Sequence, residues 1–305
     1  MSLFIQNSIH MNELENKTMN NADYPQLYRA ADNLSIQHQK EHFRLLFGYL
    51  SSLVIGSVIS IFCNGTIANS ISLLLFILSA VLFAFSKILN PLDLWYNGRA
   101  VAESVKSMTW KWMMKAEPYQ DIALETAFSN FKNDLHCLLH QNKTLFSHYQ
   151  NEDRGFDCIS EKMKEVRKST AKDRLSFYNR NRVENQLNWY RIKTKRFHKL
   201  YIIYSLIVAI FYAAIIILMI VNISMPNMSL PIELISAFVT SIVSWMEAKK
   251  YNELSCAYSL AVNDISIINA NMLEGDVTDN EVSEYVINSE NAFSREHTQW
   301  IARKQ

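Results

Sequence analysis

Two long stretches of the chain contain no charged residue: positions 45–86 and 200–232. An unpaired charge in the middle of a bilayer costs about 3 kcal/mol or more, so such stretches are typical of membrane-spanning helices. Turn residues interrupt each stretch, Asn64-Gly65-Thr66 in the first and Met225-Pro226-Asn227 in the second. We therefore predict four spans, at 45–63, 67–86, 200–222 and 231–246, arranged as two hairpins.

The lengths of these segments fit a bilayer. At ~1.5 Å of rise per residue, the first span covers about 28 Å of helix, close to the thickness of the hydrocarbon layer. The chain has only six Gly and five Pro in 305 residues, too few turn signals for an all-β or β-barrel protein. The predicted fold class is an all-α integral membrane protein with four transmembrane helices and long cytoplasmic helical extensions.

Basic residues lie where the chain enters and leaves each hairpin, and neither short connecting loop contains Lys or Arg. Cytoplasmic segments carry an excess of Lys and Arg, so both termini are expected in the cytoplasm. The flanking residues are Lys40, Arg44, Lys87, Lys193, Lys195, Arg196, Lys199, Lys249 and Lys250.

The remaining segments predict four regions along the chain. Residues 1–30 show no strong period and are expected to be partly disordered. Residues 31–120 hold the first hairpin and its flanking helices, 121–180 form a cytoplasmic helical region, and 181–305 hold the second hairpin with C-terminal helices. Within these regions we expect one continuous helix over 160–199 that leads into the third span. Thr278 and Glu281 have the spacing of a capping box that opens the last helix.

Charge is concentrated in one cytoplasmic segment. Residues 161–199 contain thirteen Lys or Arg and four acids, a net charge of +9 in a chain whose net charge is +1. Such a segment attracts polyanions: nucleotides, oligonucleotides or acidic lipid headgroups. Topogenic charge alone could explain the part nearest the membrane. The candidate anion-binding residues are Arg167, Lys168, Lys172, Arg174, Arg180, Arg182, Arg191, Lys193, Lys195 and Arg196.

The fourth predicted span carries the one acid found within a span, Glu233. In an oligomer such a residue could form a ring that favours cations, or it could extend to the membrane surface. Ser236, Thr240 and Ser244 continue a polar face along the same helix, although small polar residues also serve simply to pack helices. We take these four residues as candidates for a pore lining.

Two histidine patterns could suggest metal chemistry. The segment from His38 to His42 matches the H-x-x-E-H zinc protease pattern but lies directly before a membrane span. His136 and His140 beside Cys137 form a second candidate for metal binding. The four cysteines lack the spacing of a zinc site, and the chain contains neither a Gly-rich phosphate loop nor a nucleophile elbow. We expect no metal, no cofactor and no enzymatic activity.

The two halves share a weak repeat, because an aromatic–basic–acidic pattern with four-residue steps follows each hairpin. The first copy is Trp95, Arg99 and Glu103, and the second is Trp245, Lys249 and Glu253. Around these positions the sequence resembles the SLATT superfamily of prokaryotic two-helix membrane effectors, over about residues 28–120 and 180–303. In the first half the resemblance rests on Trp95, Tyr96, Arg99, Ala100, Ala102, Glu103, Ser104, Lys106, Ser107, Trp110 and Ala116-Glu117-Pro118-Tyr119. In the second half it rests on Gln186, Trp189, Tyr190, Trp245, Glu253, Leu254, Glu290, Glu296, His297 and Trp300.

The resemblance implies a role in anti-phage defence at the bacterial inner membrane. Members are expected to form oligomeric pores that depolarise the cell and arrest or kill it, under control of a nucleotide or oligonucleotide. That ligand would come from a partner nucleotidyltransferase, as in Hailong-type systems. Four spans per chain are too few to line a wide channel, so we predict a homo-oligomer, with a tetramer as the working assumption, in contact with membrane lipid. The alternative is a membrane-anchored scaffold that binds polyanions without forming a pore.

Overall fold

The computed structural model of the chain describes residues 18–120, 123–146, 158–225, 230–272 and 275–302. Secondary structure in these residues is helical, without a β-strand. A short 3-10 turn, Asn21–Asp23, comes first. The helices are α1 (Gln26–Phe62), α2 (Thr66–Ile88), α3 (Pro91–Met113), α4 (Leu124–Gln141), α5 (Lys143–Phe146), α6 (Glu161–Lys168), α7 (Ala171–Tyr178), α8 (Asn185–Ser224), α9 (Ile232–Lys249), α10 (Tyr251–Ala270) and α11 (Asp279–Ala302).

Three helical stretches of the described chain are long and apolar enough to cross a membrane: Gln26–Phe62, Thr66–Met113 and Ala171–Ser224. In the third, no residue of the most apolar window is buried within the chain, which leaves that surface for lipid. Three of the four predicted spans therefore have a matching helix of sufficient apolar character. Helix α9 is shorter, with 18 residues, and includes Glu233, Glu247 and Lys249, so the fourth span stays a prediction.

Local sequence explains where the helices begin and end. Gly65 adopts a φ of 117° immediately before α2, a conformation that other residues rarely adopt, and it allows the chain to turn after Asn64. Pro91 occupies the first position of α3, where its missing N–H costs nothing. The predicted capping box is confirmed: Thr278 and Glu281 exchange hydrogen bonds at the start of α11. Pro226 and Asn227 of the second predicted turn lie in 226–229, which are outside the described residues. Residues 1–17 of the predicted N-terminal region also lie outside them.

One helix prediction is wrong. The basic segment does not form a continuous helix over 160–199, because α6 ends at Lys168 and α7 begins at Ala171. Ser169 and Thr170 have extended backbones, and the Thr170 hydroxyl accepts a hydrogen bond from the backbone N–H of Asp173. A threonine whose side chain caps a new helix competes with helix continuation, and this favours the break.

The chain forms two compact units, each built from separate segments. Unit 1 comprises Met1–Ile36, Leu94–Ile192 and Tyr258–Gln305. Unit 2 comprises Gln37–Asp93 and Lys193–Ala257, and it contains all the predicted spans.

Unit 1 has a dense core. Its largest fully buried side chains include Trp110, Trp112, Tyr119, Tyr178 and Phe131. This core also contains Val183, Leu187 and Tyr190, together with Ala261 and Ile265 of α10.

Candidate functional site

The basic segment divides into two sets of residues with opposite environments. Arg167, Arg174 and Arg182 are 4%, 1% and 2% exposed, whereas Lys168, Lys172 and Arg180 lie on the surface. The sequence predicted all six as one anion-binding group. The structure brings the three arginines into the core of unit 1, where backbone carbonyls and carboxylates of the same chain accept hydrogen bonds from each guanidinium.

Arg167 joins α6 to the segment that follows α3. Its guanidinium donates hydrogen bonds to the backbone carbonyls of Trp112 and Tyr119, the latter at 2.9 Å, and stacks 4.9 Å from the centre of the Trp112 ring. The carbonyl of Tyr119 belongs to the Ala116-Glu117-Pro118-Tyr119 segment, one of the positions that carry the family resemblance. Arg167 therefore fixes that segment against α6.

Arg174 joins α7 to the start of α11. It donates to the backbone carbonyl of Ser169 at 2.6 Å and forms an ion pair with Asp279. The bond to Ser169 stabilises the break between α6 and α7. The pair with Asp279 places a cation beside the first acidic residue of α11.

Among the described residues of unit 1, Arg182 and Glu290 form the most buried ion pair. Its guanidinium donates two hydrogen bonds to the carboxylate of Glu290, each 2.9 Å long, and Tyr178 donates a third at 2.9 Å. Glu290 is 1% exposed. Burial opposes the charge of Arg182, but the charge and hydrogen bonds of Glu290, together with the charge of Glu103, outweigh burial and raise the pKa of the guanidinium above its ordinary value. The Phe293 ring covers the guanidinium at 4.7 Å.

The ion pair continues into a chain of charges between helices. Arg182 lies 4.0 Å from Glu103 on α3, Glu103 pairs with Arg99 at 2.7 Å, and Arg99 reaches Asp32 on α1 at 3.8 Å. Sequence reasoning did not identify this network as a site. The available signal was the four-residue spacing of Arg99 and Glu103, which places oppositely charged side chains together on a helix.

Lys106 lies beside the same network. Its ammonium group is 5.9 Å from the ring centres of both Tyr24 and Tyr28. Burial, and then the nearby charge of Arg182, lower the pKa of Lys106 to about 8. Burial also raises the pKa of Tyr28 to about 12. These charge-coupled groups extend from the buried Arg182 to the half-buried Lys106.

A π-helical stretch, Asn179–Glu184, brings Arg182 to this interior. Residues seven apart lie on nearly the same face of an α-helix, but Arg174 and Arg182 are eight apart. A π turn accommodates one extra residue. Both arginines are buried in the core, and the π turn brings them closer to one side of the helix than a regular α-helix would.

The outward-facing basic residues remain candidates for an anion site. Lys193 is half-buried, and the others are exposed: Lys168, Lys172, Arg180, Arg191, Lys195 and Arg196. They lie along α6, α7, the π-helical stretch and the first three turns of α8.

The four residues predicted to line a pore lie on α9. Glu233 and Thr240 are exposed, while Ser236 and Ser244 are half-buried. The hydroxyls of Ser236 and Thr240 donate to the backbone carbonyls of Ile232 and Ser236, at 3.0 and 2.9 Å. Hydroxyls bonded in this way are satisfied within their own helix and can face lipid, a neighbouring helix or water.

The histidines of each pattern contact neighbours on their own helix. Nδ1 of His38 lies 3.0 Å from the Glu41 carboxylate, and His42 packs its ring edge against Phe43. The Nε2 atoms of His136 and His140 are 3.2 Å apart. Among the described residues, no group of three or more His, Cys, Asp or Glu side chains could hold a metal ion.

Two family models match the chain in tandem. Residues 25–175 match SMODS and SLOG-associating 2TM effector domain 3, and residues 178–300 match SMODS and SLOG-associating 2TM effector domain 1. The first match extends through 121–175, where the sequence offered no recognisable motif. No curated protein and no solved structure matches the chain.

Proposed function

The chain belongs to the SLATT superfamily of SMODS- and SLOG-associating two-transmembrane effectors, and we propose that it is a defence effector forming a ligand-gated pore in the bacterial inner membrane. The observation that carries this proposal is the tandem pair of effector domains together with apolar helices whose surfaces are unburied within the chain. In this proposal the protein acts on the membrane itself and catalyses no reaction.

The proposed topology has four spans, with both termini in the cytoplasm. Helix α9 would complete the second hairpin, since 18 residues cover about 27 Å at ~1.5 Å each. Its charges support this placement, because Glu233 lies in the first turn while Glu247 and Lys249 lie in the last. Charges at the ends of a span can reach the interface at little cost.

The pore would be formed by several copies of the chain, and we propose a homotetramer. Four spans per chain are too few to enclose an aqueous channel. Glu233, Ser236, Thr240 and Ser244 follow each other by three, four and four residues, the spacing of one helix face. A ring of Glu233 carboxylates at one mouth would favour cations.

The ligand would be a nucleotide or oligonucleotide made by a partner nucleotidyltransferase. Outward-facing lysines and arginines of the basic segment support polyanion binding, since Lys168, Lys172 and Arg191 are exposed. A ligand can gate the pore only by binding one conformation better than the other. The buried Arg167, Arg174 and Arg182 would transmit that difference through unit 1 rather than contact the ligand.

Ion flux through liposomes containing the purified full-length protein tests this proposal. We expect conductance that changes when deoxynucleotide oligomers are added, and a cation preference that falls in Glu233→Gln. Glu247→Gln is a matched control, because it removes the same charge from the other end of α9. Protein that never conducts, with or without oligonucleotides, would exclude the pore.

A membrane-anchored scaffold is the second candidate, favoured by the same exposed basic residues. A scaffold would bind polyanions and anchor a partner, and its activity in cells would survive changes on α9. Protection against phage by a variant combining Glu233→Gln, Ser236→Ala and Thr240→Ala separates the two. Full protection indicates a scaffold, whereas loss of protection at normal protein levels indicates a pore.

A further inference from the structure

Unit 2 contains a groove of about 470 Å³ between residues 39–47 of α1 and the end of α9. Helix α1 contributes Gln39, Lys40, Phe43, Arg44 and Phe47, which recur at the spacing of one helix face. Helix α9 contributes its last residue, Lys249. The groove is therefore lined by three cations, one amide and two phenyl rings.

The positive charge in this groove has no acidic counterpart among the described residues. Within the described part of the chain, no acidic side chain forms an ion pair with Lys40, Arg44 or Lys249. The ammonium of Lys249 is instead held over aromatic rings, 3.2 Å from the centre of Phe43 and 4.9 Å from that of Trp245. Cation–π contacts position a charge without cancelling it, so the groove retains its attraction for an anion.

The side chain of His42 lies beside the same cations. Burial, and then the positive charges of Lys249 and Lys87, lower the pKa of His42. Four cations, Lys40, Arg44, Lys87 and Lys249, thus lie in or beside this part of unit 2.

The groove lies at the end of the apolar segments where phospholipid headgroups would be found. The charge-free stretch of α1 begins at residue 45, one position after Arg44. Phe47 is 64% exposed, and the same face of α1 continues to the exposed side chains of Val58 and Ile61. A ligand with a phosphate and an adjoining hydrocarbon part would meet the cations with one end and these side chains with the other.

We infer that this groove binds the phosphate of an anionic phospholipid. Arg44 offers a forked donor suited to phosphate oxygens, and the two lysines add point charges. Phe43 and Phe47 provide the apolar wall for the glycerol and upper acyl chain. This inference does not depend on a pore, since an anchored scaffold would hold the lipid equally well.

Native mass spectrometry of the full-length protein tests the site, with phosphatidylglycerol and phosphatidylcholine as probes. We expect the wild type to retain phosphatidylglycerol in preference, and Arg44→Gln combined with Lys249→Gln to weaken it roughly thirtyfold, at about fivefold per basic residue. The control is Lys199→Gln with Lys250→Gln, which removes two charges near the same membrane surface from outside the groove. The ammonium of Lys250 forms an ion pair with the Glu253 carboxylate at 3.7 Å and does not line the groove.

Three results would overturn the inference. One is equal retention of the two lipids by the wild type, and another is equal loss in the groove and control variants. A third distinguishes the source of the phosphate: if soluble glycerol 3-phosphate raises the melting temperature as much as phosphatidylglycerol does, the groove takes a free phosphate. Arg44→Lys separates a loss of binding from misfolding. It changes the same side chain but keeps the positive charge, so it should retain binding of phosphatidylglycerol to within severalfold of the wild type.

Discussion

Single residues of unit 1 show how strongly burial and charge are coupled in this chain. Arg182 and Glu290 are almost completely buried and bonded twice to each other. Removing both charges from water is costly, and their attraction repays this cost only while both are present. The sequence predicted that Arg182 binds a polyanion. In the structure it binds the carboxylate of Glu290 of the same chain instead.

Glu290→Gln should destabilise unit 1 by about 3–5 kcal/mol, because it leaves Arg182 buried without a counter-charge. Combining it with Arg182→Gln should recover part of the loss. Melting temperatures of wild type, both single variants and the double variant in detergent measure this coupling. Additive effects of the two substitutions would contradict a direct pair.

Lys106 predicts a specific dependence of stability on pH. Its pKa is about 8 in the folded protein, against about 10.4 for an unfolded lysine. Between these values the unfolded state binds the additional proton, so stability should rise as the pH increases from about 8 to about 10. Above pH 10 the tyrosines reverse the trend, since burial raises the pKa of Tyr24 and Tyr178.

Melting temperatures measured from pH 7.5 to 9.5 check this prediction. The rise in the wild type should be smaller in Lys106→Met, which keeps a long apolar side chain but cannot titrate. Lys132→Met, at an exposed position of α4, should show the same rise as the wild type. Identical pH profiles for Lys106→Met and the wild type would show that Lys106 does not carry the effect.

At the scale of elements, helix contacts depend on close backbone approach as much as on apolar spacing. Gly98 of α3 lies directly against α1: an added Cβ would meet the backbone N of Ser35 at 3.1 Å and the carbonyl of Ala31 at 3.2 Å. Sequence gave no role to this glycine, because its neighbours on another helix are invisible in a local pattern. The break at Ser169 and Thr170 and the π-helical stretch likewise escaped apolar periodicity.

Gly98→Ala should separate α1 from α3 and cost about 1–3 kcal/mol, as expected when a methyl group is forced against backbone. Gly48→Ala is the control, because its Cβ would meet only the tip of the Leu82 side chain, at 3.1 Å. A side-chain tip can rotate away, so the loss should be smaller. Thermal unfolding of both variants in the same detergent compares them, and equal losses would argue against the backbone contact.

At the scale of the whole molecule, both family matches contribute to both units. The match over 25–175 supplies α3 to unit 1 and α2 to unit 2, and the match over 178–300 supplies α11 and α9 in the same way. The duplication seen in the sequence is therefore not a division into two separately packed domains. Contacts such as Arg182 to Glu103, at 4.0 Å, join the two halves inside unit 1.

The proposed binding of an oligonucleotide by the exposed basic residues carries a test in its dependence on salt. For a single strand, the logarithm of the binding constant falls with the logarithm of salt concentration by about 0.7 per neutralised phosphate. Lys168→Gln with Lys172→Gln should therefore reduce the slope by about 1.4. Fluorescence anisotropy with a labelled deoxynucleotide oligomer at several salt concentrations measures it. Lys132→Gln with Lys143→Gln, two exposed lysines elsewhere in unit 1, should leave the slope unchanged.

The sequence by itself determined the helical class, the three most apolar spans, the capping box and the family, because each depends on neighbours within one helix or on local motifs. It also located the basic segment but could not sort its members. Only the tertiary structure decided that Arg167, Arg174 and Arg182 face inward, since their partners are 48 to 108 residues away. The same holds for the groove that contains Arg44 and Lys249, because these two cations come from distant parts of the sequence. Charge and periodicity are local properties, whereas a counter-charge or a shared cavity depends on which distant helices pack together.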